Sequence, residues 1–184
     1  MKYHKSEEEV RERAARIRLL ILDVDGVLTD GGLILHADGH ESKMFHVHDG
    51  HGIRLLLRGG IEVALLTGRS SQVVVDRAKD LGIKLVVQGS RNKLNDYEKM
   101  LQQRRLDDQD VAYVADDLVD VPVLRRVGLA VAVADATACI SDYCHASTIG
   151  KGGKGAVREV CDFLLEAQEK WEEVTAPYFD DSIG

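Results

Sequence analysis

One short stretch, residues 19–30, constrains the fold of this chain more than any other. The four consecutive apolar residues Leu19 to Leu22 predict a strand buried on both faces, as in the interior of a parallel sheet. The strand runs directly into Asp23 and Asp25, and Gly26 then allows a sharp backbone turn. Ligands of open α/β sheets bind just beyond the carboxyl ends of the strands. The stretch therefore predicts that the chemistry of this protein lies at Asp23 and Asp25.

The rest of the chain alternates strands with helices. Apolar runs predict further strands at residues 61–66, 84–87, 111–115 and 129–133, separated by segments of helical character. This alternation predicts an α/β fold, a Rossmann-like parallel sheet with helices on both faces and right-handed crossovers. We expect a single domain over residues 1–184.

Two segments are predicted to lie outside this alternation. An Asp-Gly turn between two extended runs predicts a β-hairpin flap at about residues 32–47. Leu33, Leu35, Phe45 and Val47 could form one apolar face of that hairpin. After a long last helix that ends near Val174, the absence of periodicity predicts a mobile C-terminal tail at about 175–184.

Composition excludes several classes of function. The net charge of −7 argues against a nucleic-acid-binding protein, because phosphate backbones require clustered Lys and Arg. No apolar run predicts a secretory signal or a membrane span. The three cysteines form no C-x-x-C pair and are expected to be reduced interior residues. We therefore expect a cytoplasmic protein that binds neither nucleic acid nor membrane.

Polar side chains follow four of the predicted strands. Asp23 and Asp25 follow the first, Thr67 the second, Lys93 the third and Asp116 the fourth. The carboxyl ends of parallel strands share one edge, so these side chains should converge. Carboxylates, a hydroxyl and an ammonium group together suit Mg²⁺-dependent phosphoryl transfer, in which a carboxylate attacks phosphorus. Taken singly, each residue is more often part of a turn, a helix cap or the surface, but the occurrence of such residues at four successive strand ends favours a catalytic site.

The same motifs carry a resemblance. Asp23-Val24-Asp25-Gly26, Leu66-Thr67-Gly68, Lys93 and Asp116-Asp117-Leu118-Val119-Asp120 resemble the four motifs of the haloacid dehalogenase (HAD) superfamily. Further segments are similar to the 3-deoxy-D-manno-octulosonate 8-phosphate (Kdo 8-phosphate) phosphatases, among them Leu28-Thr29-Asp30-Gly31, His48-Asp49-Gly50, Gly52-Ile53-Arg54, Thr67-Gly68-Arg69 and Gly152-Gly153-Lys154-Gly155. Two positions differ from the family's usual pattern: Ala115 stands where glycine is usual, and His48 where arginine is frequent.

The resemblance implies a role for each site residue. Asp23 is the nucleophile and a metal ligand, and Asp25 is the general acid/base, with its backbone carbonyl on the metal. Asp116 is the remaining protein ligand of Mg²⁺, and Thr67 and Lys93 hold the phosphoryl group. The implied substrate-binding residues are Asp25, His46, Val47, His48, Asp49, Gly50, Arg54, Arg69, Arg77 and Lys93.

The implied function is that of a Mg²⁺-dependent phosphatase. It would hydrolyse Kdo 8-phosphate to Kdo and inorganic phosphate through an aspartyl-phosphate, in lipopolysaccharide precursor biosynthesis. Two alternatives remain open: a phosphatase of a nine-carbon, sialic-acid-type 9-phosphate, and a non-catalytic sugar-phosphate-binding module. The segments between the motifs are too short for a separate cap domain, so we expect a homotetramer with active sites at subunit interfaces.

Overall fold

The structure, a computed structural model, describes residues 1–180. Its strands are β1 (Lys2–Tyr3), β2 (Leu19–Leu22), β3 (Ile34–Leu35), β4 (Glu41–Ser42), β5 (Glu62–Leu66), β6 (Leu85–Val87), β7 (Val111–Ala115), β8 (Leu129–Ala132) and β9 (Ala146–Ser147). Its α-helices are α1 (Glu7–Ala14), α2 (Val47–Arg58), α3 (Gln72–Leu81), α4 (Lys93–Arg104), α5 (Val121–Leu124), α6 (Ala156–Ala167) and α7 (Trp171–Thr175).

The first long strand, β2, lies in the interior of the main sheet. Within residues 1–180 this sheet has seven strands in the order β1-β9-β8-β7-β2-β5-β6. β2 pairs in parallel with β5 on one side and with β7 on the other. The predicted parallel sheet is confirmed, with the addition of β1, which runs antiparallel to β9 along one edge. These edge strands have two residues each, too few to produce a recognisable alternation.

Helices cover both faces of the sheet, as predicted. Leu20 and Leu22 of β2 pack into one core with residues of α1, α2, α3 and α6, whereas Leu19 and Ile21 pack into a second core with α4 and α5. The alternation of side chains along a strand sends neighbouring residues to opposite cores, so β2 is buried on both faces. Its carboxyl end is thereby fixed in position from two sides.

The hairpin is present, but its apolar face differs from the prediction. β3 and β4 pair antiparallel over two residues each. Val47 belongs to α2 and not to the hairpin, since that helix begins at Val47. Phe45 packs against the main core of its own chain, with the Arg77 guanidinium 5.7 Å from its ring centre. Leu33 and Leu35 are exposed, and together with the exposed Ile34, Met44 and Val47 they leave apolar surface around the hairpin.

The C-terminal region corrects a second prediction. The single long helix expected to end near Val174 is interrupted after Ala167, where Glu169 adopts a left-handed conformation (φ 56°), and α7 follows. A 3₁₀ turn over Ala176–Tyr178 continues the structure, and the Arg58 guanidinium donates to the Val174 carbonyl (2.9 Å). The mobility of the tail at about residues 175–184 stays a prediction, and residues 181–184 lie outside the described part of the chain.

Two further predictions concern cysteines and membranes. All three cysteines are free, Cys144 and Cys161 in the interior as expected and Cys139 at the surface, contrary to expectation. No helix among residues 1–180 has both the length and the apolar character needed to span a bilayer.

Candidate active site

The polar residues at the strand ends converge on one cleft, as the sequence predicts. The cleft has a volume of about 360 Å³ and opens at the carboxyl edge of the sheet. Six of the predicted site residues line it: Asp23, Asp25, Thr67, Arg69, Lys93 and Asp116. These residues come from four different strand ends, and the parallel order β7-β2-β5-β6 is what places them side by side.

Asp23 and Lys93 form a buried ion pair at the base of the cleft. One oxygen of Asp23 accepts from the backbone N–H of Val24 (2.7 Å), and the other accepts from Lys93 Nζ (2.7 Å). Burial raises the pKa of Asp23 to about 6, although the charge of Lys93 acts in the opposite direction. Burial also opposes the charge of Lys93, but Asp23 and Asp120 outweigh it and raise its pKa. The pair thus combines a carboxylate and a fixed cation in a poorly solvated place.

Asp120 also belongs to the site, although its position at the start of α5 made it look like a helix cap. Its carboxylate makes no capping hydrogen bond. Instead Oδ1 accepts from Lys93 Nζ (2.6 Å) and from the hydroxyl of Tyr113 (2.5 Å), while the fully buried Oδ2 has no partner among the described residues. The sequence signal was the third acidic residue of the run 116–120.

Three carboxylates of this cluster suit a metal ion. Asp23, Asp116 and Asp120 each offer one oxygen, and these oxygens lie within 4.8 Å of one another. Burial, together with the charges of Asp23 and Asp120, raises the pKa of Asp116 to about 7, although the charge of Lys93 acts in the opposite direction. Mg²⁺ prefers oxygen ligands of this kind, and the unpartnered Oδ2 of Asp120 is such an oxygen. The residues present therefore fit Mg²⁺.

The group of side-chain oxygens contains two of the three predicted ligands. These are Asp23 and Asp116, and Asp120 is the third member of the group, whereas Asp25 is predicted to bind through its backbone carbonyl and not through its side chain. The Asp25 carboxylate turns towards the hairpin, where it pairs with Lys43, a residue that sequence reasoning did not single out. A contact of the Asp25 backbone carbonyl with the metal stays a prediction.

Two small residues next to the cluster have steric roles. Gly26 adopts φ +86°, and a Cβ there would lie 2.5 Å from the Asp116 carboxyl carbon, so only glycine leaves room for that carboxylate. Ala115, which departs from the family's usual glycine, ends β7 fully buried in the second core. Its methyl group thus belongs to the hydrophobic packing of that core.

A glycine-rich loop at residues 150–155 packs against the turn that carries Asp23 and Asp25. The Gly152 N–H donates to Asp135 (2.9 Å), and the Gly153 N–H donates to the Val27 carbonyl (2.9 Å). A Cβ at Gly152 would lie 2.6 Å from the carbonyl carbon of Gly26 and closer still to its oxygen. The backbone of this loop therefore packs directly against the turn that carries Asp23 and Asp25.

Comparison with known proteins assigns the chain to a family, although no family model matches it. The Kdo 8-phosphate phosphatase KdsC of Yersinia pestis is 49% identical over 168 residues, which are 91% of this chain and 90% of that protein. KdsC of Escherichia coli K12 is 50% identical over 90% of this chain and 88% of its own length. This chain belongs to the Kdo 8-phosphate phosphatase family.

Solved structures of the family share the fold described above. The crystal structure of the Y. pestis phosphatase superposes with a TM-score of 0.88 at 49% identity, over 90% of this chain and 89% of that one. The Moraxella catarrhalis phosphatase, solved with a magnesium ion, a phosphate ion and KDO, gives a TM-score of 0.92 at 36% identity, over 94% and 99% of the two chains. The predicted resemblance to the Kdo 8-phosphate phosphatases is confirmed.

Seven of the substrate-binding residues implied by the Kdo 8-phosphate phosphatase resemblance lie outside the cleft of their own chain. These are His46, Val47, His48, Asp49, Gly50, Arg54 and Arg77, which lie on α2, at its start, or on the neighbouring α3. The rings of His46 and His48 meet edge to face at 5.0 Å, and the Val47 side chain is 73% exposed. Their roles in substrate binding stay predictions.

The charged members of this group already have partners in this family member. Arg54 and Arg77 both bind Asp80, at 3.0 and 2.7 Å, and a Cβ at Gly50 would collide with the Arg77 guanidinium. Asp49 is buried, and its oxygens accept from the backbone N–H groups of Arg158 (2.8 Å) and Gly155 (3.3 Å). Asp49 therefore caps the start of α6.

Proposed function

We propose that this member of the Kdo 8-phosphate phosphatase family hydrolyses Kdo 8-phosphate to Kdo and inorganic phosphate. The observation that carries the proposal is the buried Asp23–Lys93 pair beside the carboxylates of Asp116 and Asp120, at the base of an open cleft. The relatives named as Kdo 8-phosphate phosphatases and the KDO complex of the M. catarrhalis protein support this choice of substrate. The product would feed lipopolysaccharide precursor biosynthesis.

In the first half of the proposed reaction, a carboxylate oxygen of Asp23 attacks phosphorus. A bond forms between this oxygen and phosphorus as the bond from phosphorus to the sugar oxygen breaks, which leaves an aspartyl-phosphate and an alkoxide. Asp25, two residues further along the same turn, gives its proton to that alkoxide. The free sugar acid then leaves the cleft.

In the second half, water hydrolyses the aspartyl-phosphate. Asp25, now ionised, takes a proton from the attacking water as the water oxygen bonds to phosphorus and the bond to Asp23 breaks. Inorganic phosphate leaves, and both aspartates return to their starting states. One residue thus serves first as acid and then as base.

Lys93 and Thr67 hold the phosphoryl oxygens in this proposal. Lys93 is fixed by two carboxylates and is almost fully buried, so it provides an oriented positive charge without rearrangement. Thr67 ends β5 with a buried side chain that faces the cleft. Mg²⁺, held by Asp23, Asp116 and Asp120, supplies charge that offsets the negative charge of the phosphoryl group.

The assay that tests the proposed function is phosphate release from three substrates. Kdo 8-phosphate, a nine-carbon sialic-acid-type 9-phosphate and p-nitrophenyl phosphate are compared with and without Mg²⁺, and Asp23→Asn is the negative control. We expect the highest kcat/KM for Kdo 8-phosphate. A higher kcat/KM for the nine-carbon compound would identify the alternative sugar-acid phosphate as the substrate. No turnover of any of the three substrates would favour a non-catalytic binding module. We place the reaction in the cytoplasm, in line with cysteines that form no disulfide.

We further propose that the protein acts as a homotetramer with each site completed by a neighbouring subunit. The exposed apolar side chains around the hairpin, such as Leu35 at 70% exposure, need a partner surface. His48 and Arg54 are exposed outside their own cleft, on a surface that a neighbouring subunit can reach, although Arg54 would exchange its ion pair with Asp80 for a contact in that subunit's site. Between Gly31 and Gly68 the described chain holds the hairpin, α2 and β5, so a cover for the cleft has to come from elsewhere.

Light scattering on Leu35→Asp tests the tetramer. Wild type should have about four times the 20.3 kDa mass of one chain, and Leu35→Asp should dissociate and lose activity for Kdo 8-phosphate. Ile149→Asp is the matched control, because Ile149 is equally exposed at 70% and lies just after β9, a strand of the main sheet and not of the hairpin. A wild-type protein that is monomeric and fully active would refute the proposal.

A further inference from the structure

The hairpin brings charge as well as apolar surface to the active site. Glu41 opens β4, and Lys43 follows two residues later, so both side chains point to the same side of the hairpin. That side faces the cleft, and only 1% of the Lys43 side chain is exposed to solvent. A lysine is rarely buried without a partner, since desolvation of its charge is costly.

The partner of Lys43 is the proposed general acid. Lys43 Nζ donates to Oδ1 of Asp25, and it also lies 3.7 Å from Glu41 Oε1. Arg69 completes the group, because its Nη2 donates to Glu41 (3.0 Å) while its Nε lies 3.6 Å from Asp25 Oδ2. Two carboxyl groups and two basic side chains thus alternate in a closed group that joins the hairpin to the catalytic turn.

The two oxygens of Asp25 are held differently. Oδ1 accepts a direct hydrogen bond from Lys43, whereas 3.6 Å from Arg69 to Oδ2 is too long for one. Among the described residues no other group bonds to Oδ2, and Asp25 lines the cleft. Lys43 therefore fixes the carboxylate by one oxygen and leaves the other free towards the substrate.

The two aspartates of the catalytic turn thus depend on different parts of the chain. Asp23 is fixed by Lys93 of α4, within the core, and Asp25 is fixed by Lys43, which lies 18 residues further along the chain on the hairpin. A buried ion pair holds both side chains in fixed positions, and the loss of one partner leaves the other side chain unrestrained. Removal of Lys43 should affect the chemistry of Asp25 and spare that of Asp23.

We propose that Lys43 is a positioning residue that acts through Asp25: it orients this carboxylate so that Oδ2 delivers the proton to the departing sugar oxygen. The proposal rests on the proposed function in one respect, that Asp25 is the general acid. It assigns to the hairpin a part in leaving-group protonation. Lys43 itself touches neither the phosphoryl group nor the sugar.

The test compares substrates that differ in their need for an acid. Kdo 8-phosphate and a pentose 5-phosphate both release a poorly leaving alkoxide, and the pentose lacks a carboxylate; p-nitrophenyl phosphate releases a stabilised phenolate that needs no proton. The quantity measured is kcat/KM, which reports the steps up to formation of the aspartyl-phosphate and excludes its hydrolysis. The variants are Lys43→Met, Lys43→Arg and Glu41→Gln, with Lys79→Met on the exposed surface of α3 as the control.

For Lys43→Met we expect kcat/KM to fall by about 10- to 100-fold for both alkyl phosphates and by less than about 3-fold for p-nitrophenyl phosphate, as for a partial loss of general acid catalysis. Lys43→Arg should restore part of the loss, since arginine keeps a donor for Oδ1. Glu41→Gln should shift the same ratio in the same direction by a smaller factor. Lys79→Met should leave all three values unchanged.

Several results would overturn the proposal. An equal fall on all three substrates would give Lys43 a purely structural role, and a fall confined to Kdo 8-phosphate would make it a ligand of the sugar-acid carboxylate. If Lys43→Met does not fold, the same ratio is read from Glu41→Gln. Failure of the proposed function has a different signature: wild type would not turn over Kdo 8-phosphate, yet the pentose-to-aryl ratio would still report on Lys43.

Discussion

The glycine loop below the catalytic turn leads to a sharp prediction for Gly152→Ala. The new Cβ would lie 2.6 Å from the Gly26 carbonyl carbon, whereas ordinary contacts begin at 3.4 Å. The carbonyl oxygen of Gly26 lies closer still, so the loop and the turn would have to separate by at least about 1 Å. Neither can move freely, because the Gly152 and Gly153 N–H groups are bound to Asp135 and to the Val27 carbonyl.

The displacement falls on the residues that flank Gly26. A shift of about 1 Å in a reacting group can reduce the rate about 10²-fold, and overpacking of this kind costs about 1–3 kcal/mol of folding free energy. We expect kcat to fall by about 10²-fold, with a lower melting temperature and an unchanged circular dichroism spectrum. Gly32→Ala is the control, since its Cβ would meet only the flexible Asp30 side chain at 3.2 Å.

Phosphate release and thermal unfolding are measured on the same preparations of both variants. The reasoning is refuted if Gly152→Ala keeps wild-type kcat and melting temperature, because the loop and the turn would then be separable without consequence. A loss of stability with full activity would also count against it, since the contact would then support the fold but not the geometry of Asp23 and Asp25.

Three further predictions follow from the site. Asp23→Asn should lower phosphate release by at least about 10⁴-fold without loss of fold, because an amide is no nucleophile; appreciable turnover in a pure sample would remove Asp23 from that role. Mg²⁺ affinity, measured by calorimetry, should fall by about 10-fold per pH unit between pH 7 and pH 6 and by about 100-fold per unit below pH 6, because protons compete for carboxylates whose pKa values are about 7 (Asp116) and about 6 (Asp23). Since both values are raised by folding from about 4, the metal-free protein should lose stability as the pH rises from about 4 to about 7, and a flat profile over that range would contradict this. Tyr113→Phe should lower the free energy of unfolding by about 1.5–3 kcal/mol and should also lower Mg²⁺ affinity. The control is Tyr97→Phe, which removes a comparable hydrogen bond to Asp108 (2.8 Å) outside the cleft and should change stability alone.

The features predictable from sequence were those set by local pattern. The run Leu19–Leu22 identified the central strand, and the polar residues after four strands identified Asp23, Thr67, Lys93 and Asp116 as neighbours in space. Parallel pairing makes this possible, because it brings every strand end to the same edge whatever the order of the strands.

What could not be predicted depends on contacts between distant residues. Lys43 and Tyr113 look like an ordinary hairpin lysine and an ordinary strand aromatic until the fold places their polar atoms on Asp25 and Asp120. Asp120 has the spacing of a helix cap, but a helical backbone conformation at that residue turns its carboxylate into the site. Phe45 fits an exposed hairpin face by alternation alone, and only the position of Arg77 shows that it packs inward.

The central position of β2 has a consequence for how the protein is made. β2 and its catalytic turn leave the ribosome early, yet β2 pairs with β5 and β7, whose residues follow some 40 and 90 positions later. The loop at residues 150–155, which supports the turn, is synthesised later still. The same is true of the start of α6, which Asp49 caps. At a synthesis rate of about 5–20 residues per second, the catalytic turn waits on the order of ten seconds for its supports. The nascent chain should therefore be inactive until its last sixth emerges, and activity should appear in one late step.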